Sequence, residues 1–420
     1  MTGLDPSQNV RLSSLLHRRP FIKDRELFFP LSYMRGGTST GVLIWGPHIA
    51  PYEALREEII RRVMGVPVSG ELRGNRQITG LGRGPATSNK VFVIEAADGI
   101  HADFKSTLAQ LAAEKSAIDW SVNCGNMSAA IPIFLLHHGL IRPGNPISEV
   151  RVLNTNTSVI TDCRVRTPGG RPTIPADTEI PGVYGAFPGV ELSLRSPVGA
   201  KTGKLLPTGR VRDTFDGVEV SCVDVAVPMV IMSARSMGLR GDEPVSSLNA
   251  NEGLKSRLRS IWVQAGLSMR LQRDGVPMTP EELAGSDTIP KVCLISPPTQ
   301  GGNISARYFT PQESHAALAV TGGCCLATAC LIPGTTAHAI ATGLEPLGSQ
   351  ESERVVSMEN PAGILRARVF GRDDAQDSLA FPWVSYERNA QLFMDGFFRI
   401  YEPSEALVQK AHSLGDFVSH

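Results

Sequence analysis

Asn123-Cys124-Gly125-Asn126-Met127-Ser128-Ala129-Ala130 runs directly into Ile131-Pro132-Ile133-Phe134-Leu135-Leu136. Small and amide residues giving way to an apolar Ala- and Leu-rich run predict a tight loop that feeds a buried helix. Cys124 then falls at the positive end of that helix, where unpaired backbone N–H groups attract anions and favour a thiolate. The same thiol read alone is an ordinary small buried hydrophobe. About half the chain further on, Thr321-Gly322-Gly323-Cys324-Cys325-Leu326-Ala327-Thr328-Ala329 repeats the pattern of glycines, thiol and apolar run. The recurrence predicts two related lobes, each aiming a helix start at one shared anionic ligand.

A chain of 420 residues exceeds one hydrophobic core, so two domains are expected. Lys plus Arg and Asp plus Glu both number 41. Nothing in that balance points to a nucleic-acid or membrane surface as partner, so neither is expected, and an acidic small molecule must be gripped by a few local groups. Seven cysteines, an odd number without zinc-ligand spacing, argue against a disulfide framework and a structural metal, and for a cytosolic compartment. Residues 1–23 read as an N-terminal arm; their arginines and serines resemble a mitochondrial leader, but Asp5 and Pro6 interrupt it.

Outward from the central stretch, Arg35-Gly36-Gly37-Thr38-Ser39-Thr40-Gly41 precedes the apolar strand Val42-Leu43-Ile44-Trp45. A glycine and hydroxyl loop offers N–H and O–H donors to a carboxylate or phosphate, and Arg35 a forked charged contact. A hairpin turn with a surface arginine reads the same residues equally well. Gly37-Thr38-Ser39-Thr40-Gly41 fits the nucleophile-elbow pattern but opens a strand rather than a helix, so it makes no hydrolase. Lys90 stands immediately before the buried strand Val91-Phe92-Val93-Ile94, where burial would make its amine a usable base.

A helix is expected at 52–64, stopped by Gly65, and another at about 104–115. The adjacent His137 and His138 end the central helix; neighbours on a helix diverge, so they are not expected to share a metal. Asn154 and Asn156 interrupt a β-branched run, either lining a pocket or bonding across strands. Residues 166–200 read as a loop-dominated crossing. Lys204 and Thr208 lie in the stretch that opens the second half, followed by a strand at 218–226, a covering helix near 253–266 and the buried strand of Cys293. His315 precedes the Thr321 stretch; strands at 353–358 and 363–370 and a last segment at 383–401 follow. Strand, loop, helix and strands thus occur twice, which predicts a duplicated α+β unit.

Taken together, Met34 to Ser39, Gln77 to Gly82 with Ser88-Asn89-Lys90-Val91, Asn123 to Asn126, Asn154 to Thr157, Gly203 to Gly209, and Thr321-Gly322 with Pro333-Gly334-Thr335 resemble the PrpF family. The resemblance implies a diaminopimelate-epimerase-like fold of two pseudo-symmetric lobes. Each is a curled, mainly antiparallel sheet around a central helix, with the active site between them. The expected boundaries are 24–190 for lobe one, which 380–412 could complete, and 191–379 for lobe two. It further implies an isomerase, without metal or organic cofactor, that moves an allylic proton in an unsaturated di- or tricarboxylate. Aconitate (cis to trans) or 2-methylaconitate is the expected substrate. An oxalomesaconate-type tautomerase, an amino-acid racemase and a non-catalytic carboxylate sensor are the alternatives, and a homodimer is compatible with each.

Carried to this chain, Lys90 is the expected general base and Cys124 the facing acid/base or orienting group. Arg35, Gly36, Gly37, Thr38, Ser39, Ser88, Asn123, Gly125, Asn126, Asn154 and Asn156 are the expected substrate contacts in lobe one. Lys204, Thr208, His315, Thr321, Gly322, Gly323 and Cys324 are those in lobe two. Two departures stand out. Thr40 replaces a lysine common in the family's first loop, and Asn360-Pro361-Ala362-Gly363 stands where His-Pro-Ser-Gly is common. Both remove positive charge and imply a different carboxylate pattern in the substrate.

Overall fold

The computed structural model describes residues 18–84, 88–97, 101–172, 174–273, 275–374 and 378–414, so most of the N-terminal arm lies outside the described residues. The chain divides into two units. Unit 1 comprises Met1–Glu179, Val183–Leu192 and Arg388–His420, and unit 2 comprises Ile180–Gly182 and Ser193–Glu387.

In unit 1, β1 (Glu26–Gly36) and β2 (Ser39–Trp45) form an antiparallel hairpin, and β3 (Lys90–Ala96) joins β2 in parallel. β4 (Phe104–Leu111) is antiparallel to β3, β5 (Ile147–Asn154) parallel to β4, and β6 (Val159–Arg166) antiparallel to β5. Each parallel step needs a crossover, and each crossover carries a helix. The first is α1 (Arg56–Met64); the second is α2 (Gly125–Ser128) running through the helical Ala129 into α3 (Ala130–His137). A further strand, β7 (Phe187–Arg195), pairs with β6 and with the chain's last strand, Ser378–Ile400, which also pairs with β1. The strands of unit 1 therefore follow one another around α2 and α3, which touch β1, β2 and β6.

Alternation along each strand separates two faces. Leu27, Phe29, Leu31, Val42, Ile44, Val91 and Val93 point outward and pack with Ile59, Ile60 and Val63 of α1. Each such buried aliphatic side chain contributes roughly 1.5–3 kcal/mol of transfer free energy. Gly65 ends α1 at φ 69°, as its position after the apolar stripe requires. Ser32, Met34, Gly36, Ser39, Gly41 and Lys90 therefore point to the opposite, inner face.

Unit 2 repeats the order of steps. β8 (Val218–Val225) and β9 (Val227–Ser233) are antiparallel, and β10 (Lys291–Ser296) is parallel to β9. β11 (Ile304–Thr310) is antiparallel to β10, β12 (Ser352–Asn360) parallel to β11, and β13 (Gly363–Asp374) antiparallel to β12. The first crossover carries α4 (Glu252–Ser268), capped by Asn251 and burying Leu258, Ile261 and Trp262; the second carries α5 (Val320–Ala329). Strand β14 (Ser378–Ile400) begins in unit 2 beside β13 and ends in unit 1.

Three local expectations are corrected. The helix expected at about 104–115 is strand β4: its burial alternates at Phe104, Ser106 and Leu108, and ladders to β3 and β5 on its two sides override the helical propensity of Ala, Leu and Lys. The crossing at 166–200 contains the nine-residue strand β7. The second glycine stretch is not a loop before a helix, because α5 already begins at Val320.

Glu359, 2% exposed at the end of β12, organises one loop of unit 2. It accepts backbone N–H groups from Thr299 (2.8 Å), Gln300 (2.5 Å) and Gly302 (2.9 Å). Burial opposes its ionisation, but these hydrogen bonds together outweigh burial and hold its pKa below the usual value. A depressed folded-state pKa adds stability that is present above the unfolded pKa of about 4.3 and is lost as pH falls through the folded value. Glu359→Gln should therefore cost about 2–3 kcal/mol at pH 7. Chemical denaturation at a series of pH values should show the gap to the parent closing below about pH 4; a gap that stays constant with pH would sink this account.

Candidate active site

The hairpin of β1 and β2 turns on Gly37 and Thr38, with Gly36 opposite Ser39 and Gly37 at φ 53°. This turn lies directly against the start of α2. A Cβ on Gly36 would come within 2.5 Å of the Asn126 carbonyl oxygen, and one on Gly37 within 2.4 Å of Asn126 Oδ1. Asn126 Nδ2 donates to Thr38 Oγ1 at 3.2 Å, and Gly37 N–H donates to the Asn389 carbonyl at 2.9 Å. The glycines are thus needed for close approach of turn and helix.

Cys124 caps α2: its Sγ accepts the Met127 N–H at 3.5 Å and lies 3.8 Å from Ser39 Oγ. Asn123 Oδ1 accepts the Cys124 N–H at 2.7 Å, and Gly125 is the first helical residue. The thiol is half-buried. Lys90, 6% exposed, opens β3 beside Gly41, since Val42 pairs with Val91. Ser39 and Gly41 share the inner face, so strand spacing puts the Lys90 Cα about 8 Å from the Ser39 Cα. Ser88 is half-buried two residues before it.

Arg35 is 8% exposed. Its Nη1 donates to the Gly37 carbonyl (2.8 Å) and to Asn389 Oδ1 (2.7 Å), and its guanidinium stacks 4.5 Å from the Phe187 ring. Its Nη2 is buried without a hydrogen-bond partner, and no carboxylate forms an ion pair with it among the described residues. Burial lowers its pKa. A buried cation left in this condition favours an anionic ligand.

Asn154 and Asn156 bond the protein itself. Asn154 Oδ1 accepts from Thr157 N–H and Oγ1, at 3.0 and 2.8 Å. Asn156 Nδ2 donates to the carbonyls of Leu108 (2.9 Å) and Trp120 (2.6 Å), while its Oδ1 accepts the Leu108 N–H (2.7 Å). They anchor the segment leading to Asn123 and Cys124.

Two contributors escaped the sequence reading. Arg388 Nε donates to Asn126 Oδ1 at 2.8 Å, and Asn389 holds both Arg35 and, through Nδ2, the Thr178 carbonyl at 2.6 Å. They lie more than two hundred positions from the loop they serve, in a strand with no local motif. Only the pairing of β14 with β1 brings them there, and the polar stretch Glu387-Arg388-Asn389 carries no local signal of that role.

In unit 2 the expected residues fall in three places. Lys204 is exposed and Thr208 bonds Asp213 (2.6 Å) in a surface loop pinned by the buried Asp224, whose Oδ2 accepts from Lys201 N–H, Thr202 N–H and Thr202 Oγ1. His315 Nδ1 lies 3.0 Å from the Ala317 nitrogen and 2.8 Å from its carbonyl, and burial lowers its pKa. Thr321, Gly322, Gly323 and Cys324 are inside α5. A Cβ on Gly322 would meet the Tyr308 ring at 2.3 Å and one on Gly323 would meet Leu365 at 2.8 Å, so these glycines serve tight helix-on-sheet packing. Cys324 and Cys325 are fully buried, and burial pushes the Cys325 thiol well up.

His137 and His138 also depart from expectation: both rings reach Asp395. α3 ends at His137, and His138 (φ −85°, ψ 1°) has left helical geometry, so the two side chains converge instead of diverging.

The fold is a duplicated α+β unit whose first half carries a buried lysine and a helix-capping thiol, and comparison with known proteins gives its family. Residues 27–401 match the family described as PrpF protein. The 4-oxalomesaconate tautomerase of Pseudomonas putida is 34% identical, over 80% of this chain and 87% of that one. The (4E)-oxalomesaconate Delta-isomerase of a Novosphingobium species is 31% identical, over 87% and 96%. The crystal structure of a methylitaconate-delta-isomerase superposes with a TM-score of 0.75 at 25% identity, covering 94% of this chain and 99% of that one. The chain belongs to the PrpF family. It has the diaminopimelate-epimerase-like α+β fold and is an isomerase. Among the described residues no helix is long and apolar enough to cross a membrane.

Proposed function

We propose that this isomerase moves an allylic proton in an unsaturated tricarboxylate, and that unit 1 supplies the proton-transfer groups. Lys90 removes a proton from the carbon that lies between a carboxylate and the double bond. The electron pair left by the broken C–H bond spreads over the alkene and its carboxylate as a dienolate. Return of the proton to the far allylic carbon shifts the double bond; return to the original carbon after rotation exchanges cis and trans. Cys124, beside Ser39, delivers that proton or orients the acceptor carbon. The N–H groups at the start of α2 hold the carboxylates and the developing charge, and Arg35 fixes the turn beside them through the Gly37 carbonyl and Asn389.

The observation that supports this reading is that Lys90 and Ser39 share the inner strand face by register, while Cys124 Sγ lies 3.8 Å from Ser39 Oγ. Aconitate or 2-methylaconitate is the substrate we favour from the sequence. An oxo-substituted mesaconate is the second reading, favoured by the names of the relatives at 34% and 31% identity. All seven cysteines are unpaired thiols, which suits a cytosolic setting.

Proton NMR of the enzyme with cis-aconitate, 2-methylaconitate and 4-oxalomesaconate in deuterated buffer tests the proposal. We expect deuterium incorporation together with a new alkene isomer for one of the three. Binding without exchange would instead make the protein a carboxylate sensor, and exchange of an amino-acid α-proton would make it a racemase.

A further inference from the structure

We propose that His137, His138 and Asp395, at the C-terminal end of the inner helix of unit 1, form a site for one divalent ion of the zinc class. His137 Nε2 lies 2.7 Å from Asp395 Oδ2, and His138 Nε2 lies 3.5 Å from Asp395 Oδ1. The ligand atoms of the three residues all fall within 4.8 Å of one another. Donors around a tetrahedral zinc with 2.0–2.1 Å bonds stand about 3.3 Å apart, so an ion can be seated by sub-ångström to ångström shifts of side chains.

The donors are two imidazole nitrogens and one carboxylate oxygen, a set that suits zinc, cobalt or nickel and not the all-oxygen preference of magnesium or calcium. The arrangement is built rather than incidental. His138 is 2% exposed in its side chain and its ring packs edge-on to Phe134 at 4.5 Å and to His137 at 4.9 Å. Ser32 Oγ lies 3.1 Å from His138 Nε2 and 2.5 Å from Asp395 Oδ1; an ion on that nitrogen would take the place of the first contact and leave the second to orient the carboxylate. The other side is open: the side chain of His137 is 47% exposed and that of Asp395 23%, which gives an ion entry and leaves room for water as a fourth ligand. An ion here would tie the end of α3 to β1 through Ser32 and to β14 through Asp395. It sits at the far end of the α2–α3 helix from Cys124, so it acts on stability and is independent of the proposed chemistry.

The test uses the full chain, free of any histidine tag and dialysed against a chelator. Titration with Co²⁺ should give the visible d–d absorption of a four-coordinate ion, saturating at one equivalent and displaced by Zn²⁺. Zinc should raise the thermal midpoint by several degrees. Asp395→Asn, and His137→Ala at the half-exposed position that the fold tolerates, should each weaken zinc binding by more than the roughly ten- to hundredfold that loss of an outer-shell partner costs. His412→Ala, an exposed histidine of the C-terminal helix Glu405–Ser413, should leave it unchanged. Absence of saturable binding, or binding that survives His137→Ala undiminished, would overturn the site.

Discussion

Lys90→Ala is expected to lower kcat by about 10³-fold, within the range for removal of a general base, while the thermal midpoint stays close to the parent. The side chain opens a strand at the edge of the inner face, and the ladder of β3 with β2 and β4 is made by backbone groups that alanine keeps. KM should change little, because carboxylate binding rests on the glycine turn and the start of α2 rather than on the amine. Deuterium exchange into substrate must fall with turnover, since both report the same proton removal. Near-parental exchange in this variant would take the base away from position 90. Cys124→Ser separates the two roles left to the thiol. A loss comparable to that of Lys90→Ala makes the thiol a proton carrier. A loss of about tenfold or less makes it an orienting cap, because serine still accepts the Met127 N–H.

Gly36→Ala should be nearly as damaging to turnover, and for a steric reason. The added methyl would lie 2.5 Å from the Asn126 carbonyl oxygen and 2.8 Å from the Met127 Cα, both backbone atoms that cannot swing aside. The hairpin turn must then lift from the helix start, which separates Thr38 from Asn126 and Ser39 from Cys124. Overpacking of this kind costs about 1–3 kcal/mol, and we expect a destabilisation of that size together with a roughly hundredfold fall in kcat/KM. Gly396→Ala, where no atom lies within 4 Å of the added carbon and φ is unexceptional, is the control and should shift stability by no more than about 0.5 kcal/mol. Parental kinetics for Gly36→Ala would mean that the contact between turn and helix has no part in activity.

The sequence was legible where local chemistry and periodicity agree. The abrupt change from Asn123–Ser128 to an apolar run gave the inner helix, and its echo two hundred positions later gave the duplication. Reading failed where long-range pairing decides. Residues 104–111 carry a composition suited to a helix, but a strand buried between two others is stabilised by ladders and packing that no local window contains. The glycines of the second stretch look like those of an anion-binding loop; against Tyr308 and Leu365 they are packing residues.

By itself, the sequence determined the class of fold, the glycine turn after Arg35, the helix that Cys124 caps and the lysine that opens a buried strand. The first rests on a pattern that recurs two hundred positions on, and short-range rules of turn, cap and alternation specify the other three. Only the tertiary structure decided that β14 returns with Arg388 and Asn389 to hold that turn, that Asn154 and Asn156 bind backbone, and that two adjacent histidines meet one carboxylate. Each of those depends on strands far apart in the chain coming into register, and register is set by burial of whole faces rather than by any residue's neighbours.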